Sequence, residues 1–270
     1  MTDKISFTAL VLAGDRQGEN LVADEAGVQR KVLSLISGRP MAAYCLQALA
    51  SSEKISRVII LSNQSSDIEE GLADYLPEGL EIQFMEGESS PVRSVLAYVK
   101  SKDIQFPLLI MTADNPLITA RITDEFLEAA LGEQAEFVVG LASETSVEKR
   151  FPGAGRTYYH FSDENYTGCN LYVMFGAGAT RTIEFWTKVE NKRKKMVKIL
   201  WAFGPLNALA VLLGRYSLDR AFVRASKVLK TRIRPVILED GSAAMDVDRP
   251  MHLKIASDVI DLARENPKDQ

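Results

Sequence analysis

The segment TADNPL at residues 112–117 places a carboxylate directly after the apolar residues 108–111. A carboxylate at the end of a buried strand costs free energy unless it meets a cation. We therefore predict that Asp114 binds a metal ion. The alternative is that Asp114 caps the helix that follows, but Thr119 or Thr123 is better placed for that cap.

The residue composition narrows the kind of metal. The sequence has two histidines, His160 and His252, and two cysteines, Cys45 and Cys169, and their spacing suggests neither a zinc site nor a disulfide framework. Hard cations such as Mg²⁺ bind to carboxylate oxygens instead. A metal ion at Asp114 is therefore expected to be a hard cation of this kind, held by carboxylates.

A glycine turn with basic residues follows the first apolar run. The turn reads Leu12-Ala13-Gly14, with Arg16 two residues later and Lys31 beyond it. Backbone N–H groups at a glycine turn can approach phosphate oxygens, and the two basic side chains can neutralise a triphosphate. Alone, the pattern also fits an ordinary turn after a strand.

These residues need a scaffold that joins distant parts of the chain, and the apolar periodicity predicts one. Strand-like runs alternate with helical patterns, which predicts βαβ units and a mostly parallel sheet covered on both faces. Ligands bind beyond the carboxyl ends of such strands, so the loops after residues 13, 112 and 141 should hold the site. The strand-like runs are residues 7–13, 58–62, 80–85, 107–112, 137–141, 170–175 and 233–238, and the helical patterns are residues 40–50, 66–75, 91–100 and 122–131.

The bulk properties are those of an ordinary α/β protein. The chain has 270 residues, of which 46% are hydrophobic and 25% charged, which suits one domain over residues 1–270 with a full hydrophobic core. The first residues, MTDK, lead straight into an apolar strand without the pattern of a secretory signal. We expect a cytoplasmic protein.

A basic and apolar insertion interrupts the pattern at about residues 188–232. Residues 188–234 contain thirteen Lys or Arg against two acidic residues, in a chain whose net charge is −4. Residues 196–214 are apolar nearly all round but contain Lys198 and Gly204-Pro205, which makes a membrane span improbable, and residues 216–230 predict an amphipathic helix. A buried hairpin, a homodimer interface and a peripheral membrane contact stay open; burial or a dimer is favoured.

The order of these motifs resembles the MobA-like NTP transferase family, typified by molybdenum-cofactor guanylyltransferase. It is also similar to the cytidylyltransferases of isoprenoid and sugar-acid synthesis. The resemblance implies a Rossmann-like, three-layer αβα fold of the GT-A type. It also implies transfer of an NMP from an NTP, with CTP or GTP favoured, to a phosphorylated small molecule or a lipid or cofactor precursor, with release of pyrophosphate. No nucleic-acid partner is expected.

The resemblance also assigns roles to particular residues. Asp114 matches the family's catalytic metal ligand, and Asp248, in MDVDRP, lies where the second ligand falls, with Asp246 as a less certain neighbour. Asp248 could equally cap the last helix. The resemblance places Gly87, Ser89 and Ser94 in the segment that reads the base, and Gly168 and Asn170 in the strand that contacts acceptor or ribose, with Arg156 as a candidate for the acceptor phosphate.

The match is partial at two points. Asp15 stands where the family usually has a second glycine, and Arg249 and Met251-His252 replace its Thr and Glu-Asp. Two other functions are therefore kept. One is a GT-A-type glycosyltransferase that uses a nucleotide sugar, since residues 246–248 spell DxD; the other is a non-catalytic nucleotide-binding protein on the same fold.

Overall fold

The computed structural model describes residues 5–15, 20–190 and 216–265. The predicted apolar runs form strands and the predicted helical patterns form helices. The strands are β1 (Phe7–Leu12), β2 (Leu35–Ile36), β3 (Arg39–Pro40), β4 (Ile55–Ser62), β5 (Glu81–Glu86), β6 (Leu108–Thr112), β7 (Phe137–Ser143), β8 (Tyr159–His160), β9 (Asn165–Met174) and β10 (Ile233–Leu238). The helices are α1 (Leu21–Ala26), α2 (Met41–Ala50), α3 (Ser65–Leu72), α4 (Pro91–Val99), α5 (Ala120–Gly132), α6 (Glu144–Arg150), α7 (Thr180–Val189), α8 (Leu218–Leu229) and α9 (Pro250–Glu265).

One large sheet organises these elements. Its strand order is β10-β7-β9-β6-β1-β4-β5, with β8 paired to β9. Strand β9 runs antiparallel to both β6 and β7, and the other neighbours along this order are parallel. The predicted mostly parallel, mixed α/β sheet is confirmed.

Helices cover both faces of the sheet. Successive side chains of a strand point to opposite faces, and apolar residues on both faces need cover. In β1, Phe7, Ala9 and Val11 pack with α2, α3, α5 and α6 on one face. Leu10 packs on the other face, with α4, α7 and α8. The strands buried on both faces read as continuous apolar runs, which is why their positions were predictable.

The carboxyl ends of β1, β4 and β6 meet at one edge of this sheet. Backbone hydrogen bonds extend the pairing one residue beyond the strands, from Ala13 N to Leu61 O at 2.9 Å and from Ala113 N to Leu12 O at 3.0 Å. Gly14 and Asp114, which are 100 residues apart in the chain, therefore follow neighbouring strands at the same edge, as the sheet topology predicts.

Among the strands, the predicted boundaries differ most at β9, and the insertion is described only in part. Strand β9 begins at Asn165 rather than at residue 170, because small and polar residues alternate inward there: Thr167 and Cys169 are buried. The predicted amphipathic helix at residues 216–230 is present as α8, whereas the apolar part of the insertion, residues 196–214, lies outside the described residues. Among the described helices, none is long and apolar enough to span a membrane.

Candidate active site

Three carboxylates form a cluster beside the carboxyl end of β6. Asp114 follows β6, and Asp246 and Asp248 come from the loop that leads into α9. One oxygen of each lies within 4.8 Å of an oxygen of the others. The structure thus brings together Asp114 and Asp248, as predicted, and adds Asp246 as a full member.

The buried side chain of Asn115 joins the two acidic loops. Its amide nitrogen donates to the carbonyls of Ser242, at 3.1 Å, and Ala243, at 2.9 Å, and its amide oxygen accepts from the backbone N–H of Leu117. The backbone N–H of Val247 donates to the carbonyl of Asp114 at 2.8 Å. These bonds fix the position of Asp114 relative to the aspartates of the second loop.

A close backbone approach supports the second loop from behind. A Cβ on Gly241 would lie 2.6 Å from the carbonyl oxygen of Ser146 and 2.8 Å from the Cα of Val147, both in α6. Such contacts exclude any larger residue unless the backbone shifts. Gly241 therefore lets the turn at Gly241–Ala244 pack directly on α6.

Lys31 lies between the carboxylates. Its Nζ is 2.6 Å from Asp114 Oδ2 and 3.5 Å from Asp248 Oδ1, and it donates to the Val247 carbonyl at 3.1 Å. Burial opposes the charged ammonium, but Asp114 and Asp248 outweigh it and raise the pKa of Lys31. Lys31 is therefore a cation that partly neutralises the acidic cluster.

Arg156 pairs with the most buried of the three aspartates. Its Nη2 contacts Asp246 Oδ1 and its Nη1 donates to the Asp246 carbonyl at 3.1 Å, and both side chains are below 10% exposed. Burial, together with the neighbouring Asp114 and Asp248 carboxylates, raises the pKa of Asp246 to about 7, although Arg156 opposes that rise. Arg156 thus already has an anionic partner within the protein; its predicted role toward an acceptor phosphate stays a prediction.

Asp248 is the exposed member of the cluster, with 59% of its side chain accessible. Burial of its carboxyl acts against ionisation, but the hydrogen bond with Asp246 and the charge of Lys31 outweigh it and lower the pKa of Asp248. The backbone N–H of Asp248 donates to Nδ1 of the buried His252 at 3.2 Å, and His252 Nε2 lies 3.0 Å from the Ala154 carbonyl. His252, a departure from the family pattern, thus holds this loop in place.

The donor set fits a hard divalent cation. The Oδ1 atom of Asp114 is buried and has no hydrogen-bond partner among the described residues. Three carboxylates close together repel one another, and a cation offsets that repulsion while bonding the free oxygen. All three side chains offer oxygen, which is the ligand atom that Mg²⁺ prefers.

Asp15 closes the glycine turn instead of a second glycine. Its Oδ2 accepts from the backbone N–H of Lys31 at 3.2 Å, and its Oδ1 accepts from the side chain of Asn20, also at 3.2 Å. The side chain of Asn20 in turn caps α1. The Asp15 side chain therefore holds the backbone of Lys31 next to the glycine turn. Arg16, which we predicted beside it, lies outside the described residues.

A cleft runs from the glycine turn to the loop at residues 87–90, which we name the base loop after the role that the family resemblance predicts for it. Gly14, Asn63, Glu88 and Ser89 are among the residues that line it. It lies at the same edge of the sheet as the acidic cluster, since Gly14 and Asp114 follow the neighbouring strands β1 and β6.

Gly87 and Ser94 shape the base loop from inside. The Ser94 hydroxyl accepts from the backbone N–H of Glu88 at 2.8 Å and donates to the Ser90 carbonyl at 3.0 Å. A Cβ on Gly87 would meet this hydroxyl at 2.9 Å. Ser94 is therefore occupied within the protein, whereas Ser89 is exposed on the loop.

The predicted acceptor strand has an irregular backbone. Asn170 has φ +53° in the middle of β9, where the pairing with β7 shifts register between Val139 and Leu141, and Gly168 pairs with Leu141. Asn170 is thus not at the start of a strand. A positive φ in a non-glycine residue is uncommon and marks a backbone held by its surroundings.

The sequence analysis assigned no function to Arg249, an exposed cation near the acidic cluster. Arg249 follows Asp248, and its Nη1 lies 3.3 Å from where a Cβ on Gly155 would be. Arg249 is exposed and makes no ion pair within the described part of the chain. The sequence feature that could have drawn attention to Arg249 is that it replaces the Thr of the family pattern.

Curated relatives match about half of the chain. The bifunctional protein GlmU of Anaeromyxobacter dehalogenans strain 2CP-1 is 29% identical over 141 residues, which is 52% of this chain and 28% of that protein. GlmU of strain 2CP-C is 29% identical over 152 residues, or 56% of this chain and 29% of that protein. The chain therefore spans less than a third of the length of these relatives.

Solved structures share the fold over nearly the whole chain. A hypothetical transferase from Thermus thermophilus has a TM-score of 0.76 and 24% identity, covering 92% of this chain and all of that one. The 4-diphosphocytidyl-2C-methyl-D-erythritol synthase of Anaerococcus prevotii has a TM-score of 0.56 and 10% identity, covering 96% and 100%. A CMP:2-keto-3-deoxy-manno-octonic acid synthetase complexed with CTP has a TM-score of 0.57 and 11% identity, covering 95% and 99%.

The family model for the MobA-like NTP transferase domain matches residues 9–225. This range contains the glycine turn, Lys31, the base loop and Asp114, and it ends before the loop of Asp246 and Asp248. The motif order, the mixed sheet and the family model agree. This chain belongs to the MobA-like NTP transferase domain family of nucleotidyltransferases.

Proposed function

We propose that this protein transfers an NMP unit from an NTP to a phosphorylated small molecule and releases pyrophosphate, with Mg²⁺ as cofactor. One observation carries the proposal: Asp114, Asp246, Asp248 and Lys31 meet at the edge of the sheet that also holds the glycine turn and the base loop. An NTP with its base at the base loop and its phosphates toward Lys31 spans these two groups of residues.

The residues divide the work along the cleft. The backbone of Leu12, Ala13 and Gly14 is the proposed phosphate-side wall, and the base loop with Ser89 is the proposed wall for the base. Asp114 and Asp248 are the proposed metal ligands, and Asp246 supports them from its buried position. When bound there, Mg²⁺ would supply positive charge at the phosphoryl group under attack.

Lys31 is proposed to exchange one anionic partner for another. Its ammonium binds Asp114 and Asp248 in this structure. An NTP offers phosphate oxygens of the same charge, and Lys31 binds these as a compact point charge that stabilises the transition state. Arg16 is proposed to act beside it on the triphosphate.

An acceptor phosphate is already ionised at neutral pH, so its oxygen attacks without a general base. The P–O bond to the acceptor forms as the bond between the α-phosphate and pyrophosphate breaks. Gly168 and Asn170 in β9, together with Arg156, remain the proposed acceptor-side residues. The exposed Arg249 is added to them because its guanidinium has no anionic partner within the described residues.

The nucleotide is proposed to be CTP or GTP. The solved synthetase in complex with CTP shares this fold, and the order of the sequence motifs resembles molybdenum-cofactor guanylyltransferase. A second function has one observation in its favour: Asp246-Val247-Asp248 stands in the acidic cluster, as the DxD of a GT-A-type glycosyltransferase does. A nucleotide sugar then replaces the NTP.

A thermal-shift titration separates these functions. The protein is heated with ATP, CTP, GTP, UTP, UDP-glucose or GDP-mannose, each with and without Mg²⁺. A ligand at a hundredfold excess over its Kd stabilises the native state by about 2.7 kcal/mol. We expect a Mg²⁺-dependent shift with CTP or GTP that is lost in Asp114→Ala. A shift with a nucleotide sugar alone supports the glycosyltransferase, and no shift with any ligand contradicts the proposal.

A further inference from the structure

The base loop is held from outside by the carboxylate of Glu190. Glu190, at the carboxyl end of α7, accepts from the Ser90 hydroxyl at 2.5 Å and from Arg93 Nε at 2.7 Å. Its side chain is only 9% exposed, whereas that of Arg93 is 50% exposed. A nearly buried carboxylate thus binds the amino end of α4.

Ser90 is the point at which the base loop becomes α4. Its hydroxyl accepts from the backbone N–H of Arg93 as the N-cap of the helix, while its carbonyl accepts from the Ser94 hydroxyl. Ser94 also holds Glu88, so the base loop and the first turn of α4 form one hydrogen-bonded unit. A shift of Ser90 therefore also moves Glu88 and Ser89, which line the cleft.

A second ion pair joins the same two helices far from the cleft. Lys100, at the carboxyl end of α4, lies 2.9 Å from Glu184 in α7. Both side chains are more than 40% exposed. The helices run antiparallel, so one ion pair holds the nucleotide end of α4 and the other holds its far end.

The two ion pairs differ in what they constrain. An exposed pair between long side chains contributes little to stability. A nearly buried carboxylate that accepts from both a helix N-cap and the first turn constrains the direction of that helix end and of the loop before it. The Ser90 hydroxyl makes two hydrogen bonds: it accepts from the Arg93 backbone N–H and donates to Glu190. The bond to Glu190 fixes the orientation of this hydroxyl.

We infer that Glu190 is a positioning residue for the nucleotide: through Ser90 and Arg93 it sets the base loop in the shape that accepts the base. The inference rests on the proposed function, because it takes the cleft at the base loop to be the nucleotide site. It adds that a residue at the carboxyl end of α7, outside the cleft, controls affinity for the NTP.

The test compares two charge-removing variants of α7 in the full chain. Glu190→Gln removes the charge at the nucleotide end, and Glu184→Gln removes it at the far end as the matched control. NTP affinity is measured by isothermal titration calorimetry with Mg²⁺ and CTP or GTP, and the unfolding midpoint is measured alongside. We expect Glu190→Gln to bind the NTP about tenfold more weakly and Glu184→Gln to bind it as the wild type does.

A third variant guards against a folding defect. Arg93→Gln removes the same ion pair from its half-exposed side and should weaken NTP binding in the same direction with a wild-type unfolding midpoint. Equal NTP affinity in wild type, Glu190→Gln and Arg93→Gln overturns the inference and leaves the proposed function intact. A wild type that binds no NTP overturns the proposed function itself, and the inference falls with it.

Discussion

The two ends of the cleft are built in opposite ways. At the base loop, the polar groups of Glu88, Ser90 and Ser94 bind one another, and Glu190 holds the unit from outside. At the acidic end, Asp114 keeps a buried oxygen without a hydrogen bond among the described residues, and like charges lie close together. The polar groups named at the base loop are hydrogen-bonded within the protein, whereas at the acidic end a buried oxygen of Asp114 has no hydrogen bond among the described residues.

This difference distinguishes residues that support the loop conformation from residues that can bind a cation. Buried polar groups are normally hydrogen-bonded, so an orphaned carboxylate oxygen in a cluster of acids marks a binding site rather than a support. Substitution of Asp248, the exposed carboxylate at the acidic end, should therefore reduce ligand binding with little loss of stability. Substitutions in the supporting groups should reduce stability, affinity or both.

Among the exposed residues of the site, the largest effect on binding is expected from Asp248→Asn. This variant removes an exposed carboxylate, so the free energy of unfolding should change by less than about 1 kcal/mol. Mg²⁺-dependent NTP affinity should fall about 100-fold, since a proposed metal ligand is lost. Calorimetric titration and thermal unfolding of the same samples measure both quantities. Wild-type affinity in Asp248→Asn would remove this residue from the site.

The largest effect on stability is expected from Asn115→Leu. The substitution leaves the carbonyls of Ser242 and Ala243 and the N–H of Leu117 without their partner. We expect a loss of about 3 kcal/mol in the free energy of unfolding, measured by urea denaturation. The exposed Asn63→Ala is the control and should lie within about 0.5 kcal/mol of the wild type. A similar small change in both variants would show that Asn115 does not hold the two acidic loops together.

A smaller effect is expected when the base loop is pushed out of shape. Gly87→Ala places a Cβ at 2.9 Å from the Ser94 hydroxyl and 3.2 Å from the backbone of Ser62, so the loop must shift. NTP affinity should fall about tenfold. Gly132→Ala, in α5 with open space around its Cβ position, serves as the control and should bind NTP normally. Unchanged NTP affinity in Gly87→Ala would separate the loop from the nucleotide.

The smallest effect concerns Asp15, and it depends on pH. Burial raises the pKa of Asp15, although hydrogen bonds and Lys31 oppose the rise. A raised pKa in the folded state means that folding favours the protonated carboxyl, so this group contributes less stability as the pH rises from below 3.8 through the raised value. Asp15→Asn should therefore gain stability relative to the wild type between pH 3.5 and pH 7, in denaturation measured at both. A difference that shrinks over this range contradicts the assignment.

The sequence was informative where local pattern decides structure. Apolar runs of Val, Ile and Leu located the central strands, and the position of Asp114 after β6 identified it as a candidate ligand. Local pattern does not tell which distant loops meet. The burial of Asp246 against Arg156, the bridging by Asn115 and the contact of Glu190 with Ser90 all join residues at least 90 positions apart. Periodicity carries no information on such pairs.

Departures from the family pattern could be read from the sequence only as an incomplete match. Asp15 and His252 each stand where the family has a different residue. In the structure, Asp15 holds the backbone of Lys31 and His252 holds the backbone of Asp248. A replaced residue can support the same loop by another hydrogen bond, which the sequence alone does not display.

The most direct test of the account is a Mn²⁺ titration followed by electron paramagnetic resonance, with Mn²⁺ in place of Mg²⁺ and with CTP or GTP present. Wild type and Asp114→Asn are compared after thermal unfolding has shown that both fold. The account predicts a single saturable Mn²⁺ site per chain, formed with the nucleotide in the wild type and lost in Asp114→Asn. Equal Mn²⁺ binding by the two proteins, or none by the wild type with either nucleotide, would contradict it.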